Sequence, residues 1–106
     1  MANSTSRDIY HAVIGDHEQI KSLSQDALTE YRDSCGDACM GIVSALTALG
    51  SLSMCALESE NYLAEDCPAD MRRISCALRH LPRLMEALNH NRESADYELS
   101  RREAAK

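Results

Sequence analysis

Between Ala38 and Leu57 the chain runs for twenty residues without one charged side chain. Nothing else in the sequence restricts the fold as strongly. Twenty uncharged residues in helical form reach about 30 Å, the thickness of a bilayer's hydrocarbon core. The segment is therefore either a membrane span or a helix surrounded by other protein. Its interior speaks for protein. Ser44, Thr47, Ser51 and Ser53 interrupt it, two glycines weaken it, and it holds one isoleucine and one valine. Asp33 and Asp37 precede it, and Glu58 and Glu60 follow. Acids at both ends supply no positive-inside signal to orient a span. On a helical wheel Asp37, Ser44, Thr47 and Ser51 gather into one narrow polar stripe, with apolar residues around the rest. That pattern suits a central bundle helix, and no membrane association is expected. Gly41, Ala45 and Ala48 add small residues at helical spacing, which let a neighbouring helix come close.

The remaining sequence is helical in the same sense. Good helix formers dominate the apolar set, and there is no Phe or Trp and no alternating β-branched run of the kind a sheet requires. Thr5 to Asp8 has the spacing of a capping box, and Ile9, Val13, Ile20, Leu23, Ala27 and Tyr31 follow on one face. These place a first helix at about 7–33, with Gly15 as a weak point. Ser34-Cys-Gly-Asp37 reads as a bend and a second cap, so a second helix is expected at about 37–63. Cys67-Pro68-Ala69-Asp70 resembles a helix start. A third helix, about 69–103, then carries Met71, Ile74, Leu78, Leu81, Met85 and Leu88 in alternating steps of three and four. Pro82 lies inside it, where it removes a backbone bond and crowds the preceding turn, so a kink is expected. Beyond Leu88 apolar content collapses, and residues 89–106 read as an exposed polar helical tail, frayed at 104–106 as the chain is at 1–6. The expected fold is all-α, a single small domain built as a bundle of three main helices.

Charge and cysteine content narrow the function. The net charge is −6, which opposes a dedicated nucleic-acid binder, because phosphate contacts need a basic face. Residues 1–66 carry only Arg7, Lys21 and Arg32 as bases, whereas residues 67–106 are mildly positive. The two halves can therefore attract one another within a bundle or across a homodimer. Five cysteines are an odd number, and the opening residues are polar, with no secretory signal. Reduced thiols and a cytoplasmic location are expected.

Chemistry-bearing constellations are few. Cys35 and Cys39, and Cys76 and His80, are each four apart, a spacing that in principle offers four zinc ligands. Helical phase opposes it: the first pair lies on the apolar side of its helix, the second behind the Met71–Leu88 seam. No metal or other cofactor is expected. His11, His17, His80 and His90 fall in no nucleophile or base motif, and no phosphate-binding loop is present. An enzyme is not expected. What remains is a protein that binds and modulates a protein partner as a regulator or inhibitor. Its size and charge are like those of small acidic helical inhibitors encoded by phages and mobile elements. Two surfaces are candidates: the acids Asp16, Glu18, Asp26 and Glu30 on the first helix, and Cys76, Arg79, His80 and Arg83 behind the third. Alternatives are a helical assembly factor or chaperone that pairs with a client helix, and a Cys/His zinc or redox sensor.

Overall fold

A computed structural model describes residues 8–106, so Thr5 and the expected start of the first helix lie outside the described part. Four α-helices follow in order: α1 (Ile9–Val13), α2 (His17–Ser22), α3 (Gln25–Glu58) and α4 (Cys67–Ala104), with a 3-10 turn at Ala64–Asp66 before α4. The all-α bundle expected from the sequence is what forms. Its long elements are α3 and α4, which pack against each other as a hairpin, while α1 and α2 lie along α4.

The helix boundaries move, for local reasons. Asp8 and Asp16 each cap a short helix, their carboxylates accepting from the backbone N–H of Tyr10 and Glu18. Ser24 then caps α3 by accepting from Ala27 N–H. The expected first helix is thereby divided into α1, α2 and the first turns of α3. No break occurs at Ser34–Asp37. An interior glycine costs a helix about 1 kcal/mol, and Gly36 is carried because the seam on both sides of it is continuous. Cys35, Cys39, Ile42, Leu46, Leu49, Ser53 and Ala56 are buried or half-buried at steps of four and three, the heptad pattern of paired helices. α4 answers with Ile74, Ala77, Leu81, Leu84 and Leu88 in the same rhythm, all half-buried. It passes Pro82 as one helix, without reversal.

Two expectations about α4 are corrected. Met71 and Leu78 do not lie on the seam; they stay 52% and 51% exposed, because Ala77 and Leu84 take the facing positions. Nor is 89–106 an exposed tail. Ala95 is fully buried, and Asn91, Glu98 and Leu99 are nearly so. Ile20, Leu28, Ala95 and Leu99 form the core, with Leu23 and Tyr31 against it. Few apolar side chains suffice there because the alanine lets backbones approach and polar groups finish the packing. Asn91 donates to the Val13 carbonyl (3.0 Å) and accepts from Gly15 N–H (2.6 Å). A Cβ on Gly15 would stand 3.0 Å from the Tyr31 hydroxyl, so only glycine fits comfortably at this approach. Arg102 donates to the carbonyls of Lys21 and Leu23, closing the far end.

The core thus occupies one end of an elongated molecule. Its extents are 63 × 35 × 15 Å and its radius of gyration 18.7 Å, against about 13 Å for a compact domain of this length. The other end is two helices and a turn.

Candidate docking face on the helical hairpin

In the distal half, residues 38–57 of α3 lie against the first half of α4, which among the described residues is otherwise met by the N-terminal segment near Arg83. One flank of this pair is apolar on both helices. Val43, Gly50 and Leu57 each directly follow a seam residue of α3, Leu78 and Met85 do the same on α4, and Met71 stands seven residues before Leu78. Leu57 and Met71 line one cleft at the tip, which puts the two sets on one side. Cys39 Sγ donates to the Met85 carbonyl at 3.5 Å. One turn nearer the core, a Cβ on Gly36 would meet Arg92 Cδ at 3.4 Å. Met40 and Met54 border the same face. Its exposed side chains are Met40 at 68%, Val43 at 47%, Met54 at 58% and Leu57 at 66%, beside Met71 and Leu78. Covering a half-exposed side chain of this size gains roughly 1 kcal/mol.

At the tip the helices part. A cleft of about 260 Å³ opens between them, lined by Leu52, Ala56, Leu57, Tyr62, Met71 and Ile74 among others. Tyr62 braces the connecting turn by donating to Asp70 Oδ2 at 2.6 Å. Its bond to that carboxylate, with burial second, pushes the phenol up to about 12. Nearer the core the same flank turns polar: Arg32 pairs with Asp33 (3.1 Å) and Asp96 (3.4 Å). The face therefore has a defined end. On the opposite flank the N-terminal segment covers α4. Asp8 bonds Arg83 at 2.7 Å, and the Arg83 guanidinium lies 4.5 Å from the centre of the Tyr10 ring. The Arg83 bond, helped by Tyr10 N–H, holds Asp8 below the usual carboxylate range.

The residues singled out in the sequence are dispersed. Asp16 is the α2 cap, Glu18 lies on α2, and Asp26 and Glu30 lie on α3; all four are exposed but belong to different elements. Cys76, Arg79 and His80 are exposed on α4, whereas Arg83 is occupied by Asp8 and Glu86. Cys35 is buried and Cys39 half-buried on the seam. Among the described residues no three His, Cys, Asp or Glu side chains converge as a metal site. The flank of Met40, Val43, Met54, Leu57, Met71 and Leu78 is not among the residues the sequence singled out. Its signal was present, since α3 is apolar on most sides, but the sequence assigned that circumference to burial. In fact none of the most apolar eighteen-residue window of α3, with mean hydropathy 1.8, is buried. Length and composition alone would let this helix cross a membrane. No family model, curated protein or solved structure matches the chain.

Proposed function

We propose that the chain is a non-enzymatic helix-pairing protein, which binds and modulates protein partners through the apolar flank of the α3–α4 hairpin. One observation carries this reading: large apolar side chains of two helices stand uncovered on one face, while the polar end of the molecule holds the core. Such a face gains free energy by receiving another helix, in the manner of helix-in-groove recognition. All five cysteines are unpaired, which supports a reducing compartment, the cytoplasm.

The test is affinity capture from the native host, with mass-spectrometric identification, at low and at molar salt. Apolar pairing is expected to survive high salt, because screening weakens charge contacts and not burial. The double substitution Met40→Glu and Leu57→Glu, at positions exposed in the hairpin, is expected to abolish capture without loss of helicity. If capture instead disappears with salt and ignores these substitutions, the acids Asp16, Glu18, Asp26 and Glu30 are the binding surface and the apolar flank is not.

A further inference from the structure

We infer that the occupant of the apolar flank is a second copy of this chain, with the two α3 helices antiparallel about Thr47 and the two hairpins closed into a four-helix bundle. The inference rests on the reading of that flank as a helix-pairing surface. Three observations carry it.

The first is area. The chain exposes 7723 Å², whereas a compact monomer of 11.7 kDa exposes about 5,900 Å². Even with the seven residues outside the described part counted at full extension, an excess of about 1,000 Å² remains. A standard stable interface takes about 800 Å² from each partner. The excess is what one half of a dimer would bury.

The second is shape. Along the flank α3 presents Gly36, Val43, Gly50 and Leu57 at intervals of seven. A two-fold axis at Thr47 sets Val43 beside Gly50 of the second copy, within about one residue's rise of exact register. Large thus meets small at that level, and Met40 meets Met54 of the second copy beside it. Within one chain packing requires neither Gly41 nor Gly50, since a Cβ at either would find nothing within 4 Å, yet an interior glycine costs its helix about 1 kcal/mol; of the two, Gly50 stands on the flank. The Thr47 hydroxyl donates to the Val43 carbonyl of its own helix at 2.9 Å. It therefore takes no unpaired donor into the interface.

The third is the distribution of polarity. Asp37, Ser44, Ser51 and Glu58 form a line on α3 pointing away from both the seam and the flank, and all are exposed. They remain in water in such a bundle. Arg32, Asp33 and Asp96 end the apolar stretch toward the core. Antiparallel overlap restricted to the distal halves keeps them outside the contact, whereas parallel stacking over the full length would press them together. A bilayer fits worse, since Arg72, Arg73 and Arg79 stand on the stretch of α4 that would have to enter with α3.

Light scattering of the purified chain is expected to return twice 11.7 kDa. Gly50→Leu is the decisive variant. In a lone hairpin the added Cβ meets nothing within 4 Å and leucine raises helix propensity; in the bundle the side chain collides with Val43 of the second copy. At least tenfold weaker dimerisation with undiminished helicity is expected. Thr47→Cys, in a chain with Cys55, Cys67 and Cys76 changed to serine, is expected to cross-link across the axis with a short bismaleimide. A monomer at every concentration overturns the inference, as does a dimer that tolerates Gly50→Leu or fails to cross-link. If the monomer nonetheless captures partners that Met40→Glu and Leu57→Glu lose, the helix-pairing function stands and only its occupant is different. Flotation of the pure chain with phosphatidylcholine vesicles overturns both.

Discussion

Asn91 is the residue on which the N-terminal segment hangs, and Asn91→Ala isolates that role. The side chain is 3% exposed and makes two bonds, from Gly15 N–H at 2.6 Å and to the Val13 carbonyl at 3.0 Å. Truncation leaves both backbone groups without a partner. A buried orphan costs about 1–3 kcal/mol, and Gly15 and Val13 are half-buried, so the low end applies and the pair sums to roughly 2.5 kcal/mol. Alanine in a helix interior returns up to about 0.7 kcal/mol. The expected net loss is therefore about 2 kcal/mol. With a urea slope of about 1–1.5 kcal/mol/M, the unfolding midpoint falls by about 1.5 M. If α1 and α2 open locally, the Gly15 amide loses roughly 30-fold of its protection from hydrogen exchange. Exchange read by NMR reports on that amide directly. A Gly15 amide as protected in the variant as in the parent would show that Asn91 is not the anchor.

Further outcomes follow from the other polar contacts. Glu98 is 1% exposed, and its carboxylate accepts from Arg101 and Arg102; bonds first from Arg101 and then from Arg102 hold it at about 2 against an ordinary 4.5. Its contribution to stability is complete above pH 4.5 and drains as pH falls toward 2. Helicity monitored through this window should fall less steeply in Glu98→Gln, and superimposable profiles would deny Glu98 that role. Tyr62 favours its neutral phenol, so the stability it contributes is whole below pH 10 and lost as pH rises through about 12. Alkaline ultraviolet titration should find two late tyrosines of four, Tyr31, raised chiefly by burial, and Tyr62, and only the Tyr62 component should be absent in Tyr62→Phe. Maleimide labelling should modify the exposed Cys55 and Cys76 quickly. Cys35 is buried, burial chief among the causes that push its thiol up, so it should label only with unfolding. Rapid labelling of Cys35 would contradict the seam.

Much of the architecture is legible in the residues because helices obey local rules. The uncharged stretch, the alternating threes and fours of α4 and the Pro68 start each announce a helix before any contact is known. The boundaries at Ser24 and Glu58 are less so. Ser34-Cys-Gly-Asp37 has cap chemistry as good as that of Ser24, and the choice between them fell to the continuous seam, a tertiary quantity. The burial of 89–102 is also hard to read, since only Ala95 and Leu99 carry its apolar contacts and its polar partners are backbone groups of Val13, Gly15, Lys21 and Leu23, which leave no mark in a side-chain pattern.

The sequence by itself determined that the chain is all helix and that α3 is apolar around most of its circumference. Periodicity and composition act within one segment, and they need no partner to be read. Which part of that circumference meets α4, and which part is left open, only the tertiary structure decided. A helical stripe says that a face wants burial, but the depth of burial depends on how many other elements reach it. Here α1 and α2 are short and pack along α4, so among the described residues α4 is the main neighbour of the Ala38–Leu57 stretch. The most apolar stretch of the sequence is therefore also one that the described residues leave unburied.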